Sequence, residues 1–356
     1  MIKKLILILA VVFLVSIPVS AQENTNLYHN KAGDFIGEYG IDFEDIKNYP
    51  FETLWDTVKQ SVKKGLTSPL KIFAKITALL IITSFINLFS SSSSDKVSDI
   101  VNIVCVLVLF SNIYDSFITL FDSVSQNMFQ IKNFMVSFLP VFAGISFAAG
   151  EMITSTVYTG LFMLSVVATA NVCLVYIIPS LKLFVAVGIT SSLSSAINLK
   201  PLCSFYSRVL KISMTVAVSV LCFILTLQTT ITQGQDNLAV KTGKFIISSA
   251  VPVIGSALQS AVGSVYASMG VLKGFFGIAG ITVISALFVP SIVNLAVNWA
   301  GYSLMAVLSE MLENKTAADV INIFKDVTEI LISLSVLFMI LLVFSLTVMI
   351  KVGQAV

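Results

Sequence analysis

TSTVYTGLFMLSVVATANVCLVYII, residues 154–178, carries no charge along its whole length and is ended by Pro179. As a helix it would be about 37 Å long, enough to cross a hydrocarbon core of ~30 Å. Leu331 to Ile350 has the same character near the other end of the chain. Composition carries that reading to the whole protein. Its 356 residues are 56% hydrophobic and 11% charged, and the mean hydropathy is +0.96. Soluble domains run about 45–50% apolar and about 25% charged. So little charge cannot coat a water-soluble surface, which excludes a soluble multi-domain enzyme and a disordered chain. Lys and Arg number 21 against 19 Asp and Glu, a net +2, so no basic field exists for nucleic acid. The sequence describes an all-α, polytopic membrane protein.

Reading outward from 154–178, Phe134 to Ala149 is a shorter span containing Pro140, and Ile100 to Tyr114 is another. Between them, Asp115 to Lys132 is amphipathic. Phe117, Leu120, Phe121, Val124 and Met128 share one face, as for a helix lying at the membrane interface. Leu70 to Phe89 is the first span, interrupted by Lys71 and Lys75, and Ser90 to Ser94 links it to the next. On the other side, Leu183 to Ile197 is weakened by Thr190, Ser191, Ser192, Ser194 and Ser195. Such a run is tolerated in lipid only where it faces protein or water, which places it in the bundle interior. Lys200, Arg208 and Lys211 mark a cytoplasmic loop by the positive-inside rule, before a span at Ile212 to Thr232.

Phe245 to Val271 is apolar but rich in Ser, Gly and Ala, as for an amphipathic or re-entrant segment. Phe275 to Met311 exceeds one span of ~20 residues, and Pro290 divides it into a kinked helix with an interfacial piece or a tight hairpin. The expected total is about seven to nine transmembrane helices in a domain over 69–356.

Residues 1–21 read as a cleavable signal peptide: Lys3-Lys4, an apolar run from Leu5 to Pro18, then Val19-Ser20-Ala21. An uncleaved anchor is the alternative. Residues 22–68 form a polar, exported segment. In it Pro50 opens a helix with Phe51, Leu54, Trp55, Val58 and Val62 on one face, suited to the membrane surface, a partner or its own membrane domain.

Little in the chain can carry chemistry. His29 is the sole histidine and Arg208 the sole arginine, and Cys105, Cys173, Cys203 and Cys222 form no framework. Lys241-Thr242-Gly243-Lys244-Phe245 is no phosphate loop, and Gly144-Ile145-Ser146-Phe147 is no nucleophile elbow. No catalytic, cofactor or metal site is expected. Lys75 and Glu151 are the intramembrane charge candidates, because a charge in lipid is costly and so tends to be functional. Lys182 and Lys273 flank apolar runs and read as snorkelling lysines. The densest signal is glycine. Gly270 and Gly274 form a GxxxG continued by Gly277 and Gly280, with Gly255 and Gly263 before them and Pro290 after. Such a strip lets another backbone approach, within the chain or in an assembly.

The pieces Lys241–Phe245, Val251-Pro252-Val253-Ile254-Gly255, Gly277-Ile278-Ala279-Gly280 and Phe288-Val289-Pro290 occur in an order and spacing that resembles stage III sporulation protein AE. The exported segment and polytopic layout resemble that family over nearly the whole chain. The resemblance implies endospore formation. It implies a subunit of a channel or secretion-like complex in the mother-cell membrane around the forespore, alongside other stage III sporulation membrane proteins. A separate ATPase subunit would power the complex, and a forespore membrane partner would meet it across the intermembrane space. The competing expectation is a stand-alone secondary transporter for a small solute. A membrane enzyme ranks last, for want of an acid–base pair.

Overall fold

The computed structural model describes residues 72–86, 95–152, 155–156, 159–193 and 255–352, with single positions at 59, 201, 204–206, 208, 209, 212, 215 and 219. The expected signal peptide, the exported segment apart from Lys59, the serine linker and residues 220–254 lie outside the described residues. All regular structure among the described residues is helical. In chain order it comprises α1 (Ile72–Ile86), α2 (Asp95–Ala148), α3 (Thr159–Val172), a π turn (Cys173–Ile177), α4 (Ile178–Leu193), α5 (Gly255–Met311) and α6 (Lys315–Val352).

Among the described residues, four helical stretches are long and apolar enough to cross a membrane: Ile103–Ala148, Thr159–Ser192, Ser260–Met311 and Lys315–Ile350. The sequence reading divides these columns more finely. Ile100–Tyr114, Asp115–Lys132 and Phe134–Ala149 are consecutive parts of the single helix α2, which runs through Pro140. Phe275–Met311 forms no hairpin, because α5 continues through Pro290. Pro179 does not end the helical column after residue 178. A proline removes one backbone hydrogen bond and crowds the carbonyl four residues back, a local cost. Before Pro179 the π turn absorbs it: the Ile178 N–H donates to the carbonyl of Cys173, five residues back, and the helix resumes.

α2, α4 and α5 pack against α6, and α3 packs on α2. The α5–α6 hairpin turns at Leu312 to Asn314, with Glu313 in the left-handed region at φ 57°. In α6, Phe324 meets Phe117 of α2 edge-on at 4.7 Å and lies 6.2 Å from Tyr302 of α5. Farther along, Phe338 of α6 meets Phe288 of α5 at 6.0 Å. The apolar face Phe117, Leu120, Phe121, Val124, Met128 is buried against protein, which replaces the expected interfacial placement. α1 lies along α5, with the Phe73 ring against Tyr302 and the Thr77 hydroxyl 3.2 Å from the Met305 sulfur. α2 therefore runs parallel to α6 and antiparallel to α5, which brings the end of α2 to the first half of α5.

Candidate functional site

Where α2 ends, Gly150 adopts φ 90°, a conformation open to a residue without Cβ, and the chain reverses. The Glu151 N–H donates to the Ser146 carbonyl at 3.1 Å, and the Ser155 hydroxyl donates back to the Ala143 carbonyl at 2.6 Å. This turn aims the Glu151 carboxylate into the bundle. There Lys273 of α5 places its Nζ 2.7 Å from Oε1 and 2.6 Å from Oε2. The side chains are 2% and 8% exposed for Lys273 and Glu151 respectively. Lys273 is thus no snorkelling lysine. A Lys stem can carry its ammonium to the head groups or to an internal anion, and Glu151 supplies the anion. Each charge provides the other's solvation, which fixes the α2–α3 turn onto α5.

The neighbouring glycines divide into two groups. A Cβ at Gly277 would run into the Ile350 side chain of α6, with the Phe142 ring of α2 at 3.4 Å. One at Gly280 would meet the Phe138 ring at 2.7 Å and Leu346 at 3.2 Å. These two glycines let α5 approach both α2 and α6 within the chain. Gly270 faces open space, and Gly274 is half-buried. Pro290 is half-buried one residue from Ser291, whose hydroxyl lies 3.4 Å from that of Ser123. Lys75 stands apart, exposed on α1, and does not join Glu151. Lys182 is exposed, with its Nζ 5.6 Å from the centre of the Phe121 ring. Among the described residues no group of three or more His, Cys, Asp or Glu is placed to hold a metal ion.

The model of the stage III sporulation protein AE family matches residues 37–353, so it takes in every element described above. The chain belongs to this family. No curated protein and no solved structure matches it.

Two positions that sequence reasoning passed over complete the picture. Gly301 lies under the Phe73 ring, with no room for a Cβ, and so permits the α1–α5 contact. Asn314 caps α6 through its Oδ1, which accepts from the Ala317 N–H at 3.1 Å. Its Nδ2 donates to the Thr83 hydroxyl of α1 at 3.2 Å, and its carbonyl accepts from the Ser309 hydroxyl of α5 at 3.1 Å. One 3% exposed asparagine, through its side-chain amide and its backbone carbonyl, therefore ties α1, α5 and α6 together. Its signal was present, since an Asn directly before a periodic run is a strong N-cap.

Proposed function

We propose that this sporulation protein is a non-enzymatic membrane subunit of a channel or secretion-like complex joining mother cell and forespore. It would sit multi-pass in the mother-cell membrane around the forespore, with an exported N-terminus released by signal cleavage. Its partners would be other stage III sporulation membrane proteins, including a separate ATPase subunit, and a forespore membrane protein facing it. The observation that carries this reading is the family match over 37–353, coincident with four helices among the described residues able to cross a membrane. The site agrees with it. Its buried charges neutralise each other and its close-contact glycines serve packing, an arrangement for holding helices in place.

The test is affinity purification of the tagged chain from sporulating cells, beside a deletion strain. The reading expects the ATPase subunit and the forespore partner to co-purify, and the deletion strain to arrest after engulfment. Purification of the chain alone, with solute uptake by the reconstituted protein, would overturn it in favour of the stand-alone transporter.

A further inference from the structure

A Ser or Thr hydroxyl inside a helix has a standing local partner, the carbonyl four residues back. The buried hydroxyls of Ser165, Thr282, Ser285, Thr328 and Ser345 all donate there, at 2.8–3.0 Å. Ser146 of α2 does not. It is 0% exposed, and its Oγ has no hydrogen-bond partner in the protein. Its place in the fold says what it is turned to. Phe138 and Phe142 precede it by two turns and one turn on the same face of α2, and they pack at Gly280 and Gly277 of α5. α5 runs antiparallel to α2, so the next turn brings Ser146 level with Lys273. From the other side, the Glu151 N–H donates to the Ser146 carbonyl at 3.1 Å. The hydroxyl that forgoes its own helix thus belongs to the corner that holds the ion pair.

Native interiors seldom leave such a hydroxyl without a partner, and a bound molecule is the usual answer. Charge decides what kind. Glu151 and Lys273 neutralise each other, and residues 133–149 of α2, Thr159–Val172 of α3 and 330–350 of α6 add no ionisable side chain. An ion bound here would leave a net charge in an almost dry corner. The occupant is therefore neutral, small, and able both to donate and to accept. We propose that the α2–α3 corner binds one structural water molecule, held between the Ser146 hydroxyl and the Glu151 carboxylate beside Lys273. The water gives Ser146 its partner and adds to the solvation of two full charges, as buried waters do at polar sites. Ser146 is then the third member of the charged site, and it joins α2 to the pair that fixes the corner onto α5. This inference is independent of the channel reading.

The test is a double-mutant cycle on the full-length, detergent-purified protein, read as unfolding temperature. In the native background Ser146→Ala should lower that temperature by about 2–4 °C, because the water loses one of its anchors. In the background Glu151→Met with Lys273→Met the water has no charged anchor to lose. There the same substitution should leave the temperature unchanged or raise it. Thr159→Val is the control: its Oγ1 is also buried without a partner, eight residues past Glu151, and its shift should be the same in both backgrounds. A density map fine enough to resolve solvent should show one peak within hydrogen-bond distance of both the Ser146 Oγ and the Glu151 carboxylate. A rise in the native background, or equal shifts from Ser146→Ala in the two backgrounds, would overturn the inference. So would a background-dependent shift at Thr159 as large as that at Ser146, which would trace the coupling to general packing. A map with the Ser146 hydroxyl turned onto the Phe142 carbonyl, and no solvent peak beside it, would overturn it as well. If the double-Met background does not fold, the sign of the shift in the native background and the map decide.

Discussion

The α5–α6 hairpin is tied at its turn by neutral groups and at its far end by charges. At the turn, Asn314 uses an amide and a backbone carbonyl to bind three helices. At the far end, Glu151 and Lys273 place a full negative and a full positive charge in a nearly dry interior. The difference lies in what each end tolerates. A neutral network loses hydrogen bonds one at a time, while an ion pair that loses one member leaves a buried charge without its counter-ion.

The sharpest way to break the comparison is to remove one charge. Glu151→Ala or Lys273→Ala should each cost about 3–5 kcal/mol, read as a large fall in the unfolding temperature of detergent-purified protein. Glu151→Met with Lys273→Met should recover most of that loss, because an apolar pair of similar volume has no desolvation cost. If the double variant is as unstable as the singles, the cost lies in contacts other than the pairing of the two charges. At the turn, Asn314→Ala should cost about 2 kcal/mol, the sum of a lost cap and a lost interhelical hydrogen bond. Asn314→Ser, which keeps a neutral cap acceptor, should cost less. Equal losses from the two would mean that the cap contributes nothing.

The two ends also differ in how much of them the sequence discloses. The all-helical, lipid-compatible character follows from composition, and the run Leu331 to Ile350 lies in a helix long and apolar enough to cross a membrane, as its apolarity suggests. The buried face of 117–128 is legible as a face. Its neighbour is not, because periodicity reports that a stripe is apolar without saying whether lipid or protein covers it. Pro179 and Pro290 invite helix ends that do not occur, and α2 likewise runs on through Pro140. Proline's penalty is local and fixed, whereas the packing of a helix of 54 or 57 residues is spread along its length and exceeds it. Lys273 reads as snorkelling because its partner lies 122 positions away. No window on the chain contains both. Asn314 had a local signal, the N-cap, but its contact with Thr83 spans 231 positions and could come only from the fold.

The glycines allow the finest test, because they lie on one helix on either side of Lys273. Gly277→Ala places a methyl group against Ile350, whose side chain can yield only in part, and should cost about 1 kcal/mol. Gly270→Ala adds the same methyl group where nothing lies within reach. There the change removes glycine's excess backbone freedom in a helix interior and should stabilise the fold by about 0.5–1 kcal/mol. Opposite signs from one substitution, seven residues apart, would show that contact with α6 and α2 sets the need for glycine at Gly277. A loss at Gly270 as well, in the purified complex but not in the isolated chain, would mean that its open face is covered by another subunit. That result would assign the first half of the glycine strip to assembly and the second to the fold of the chain itself.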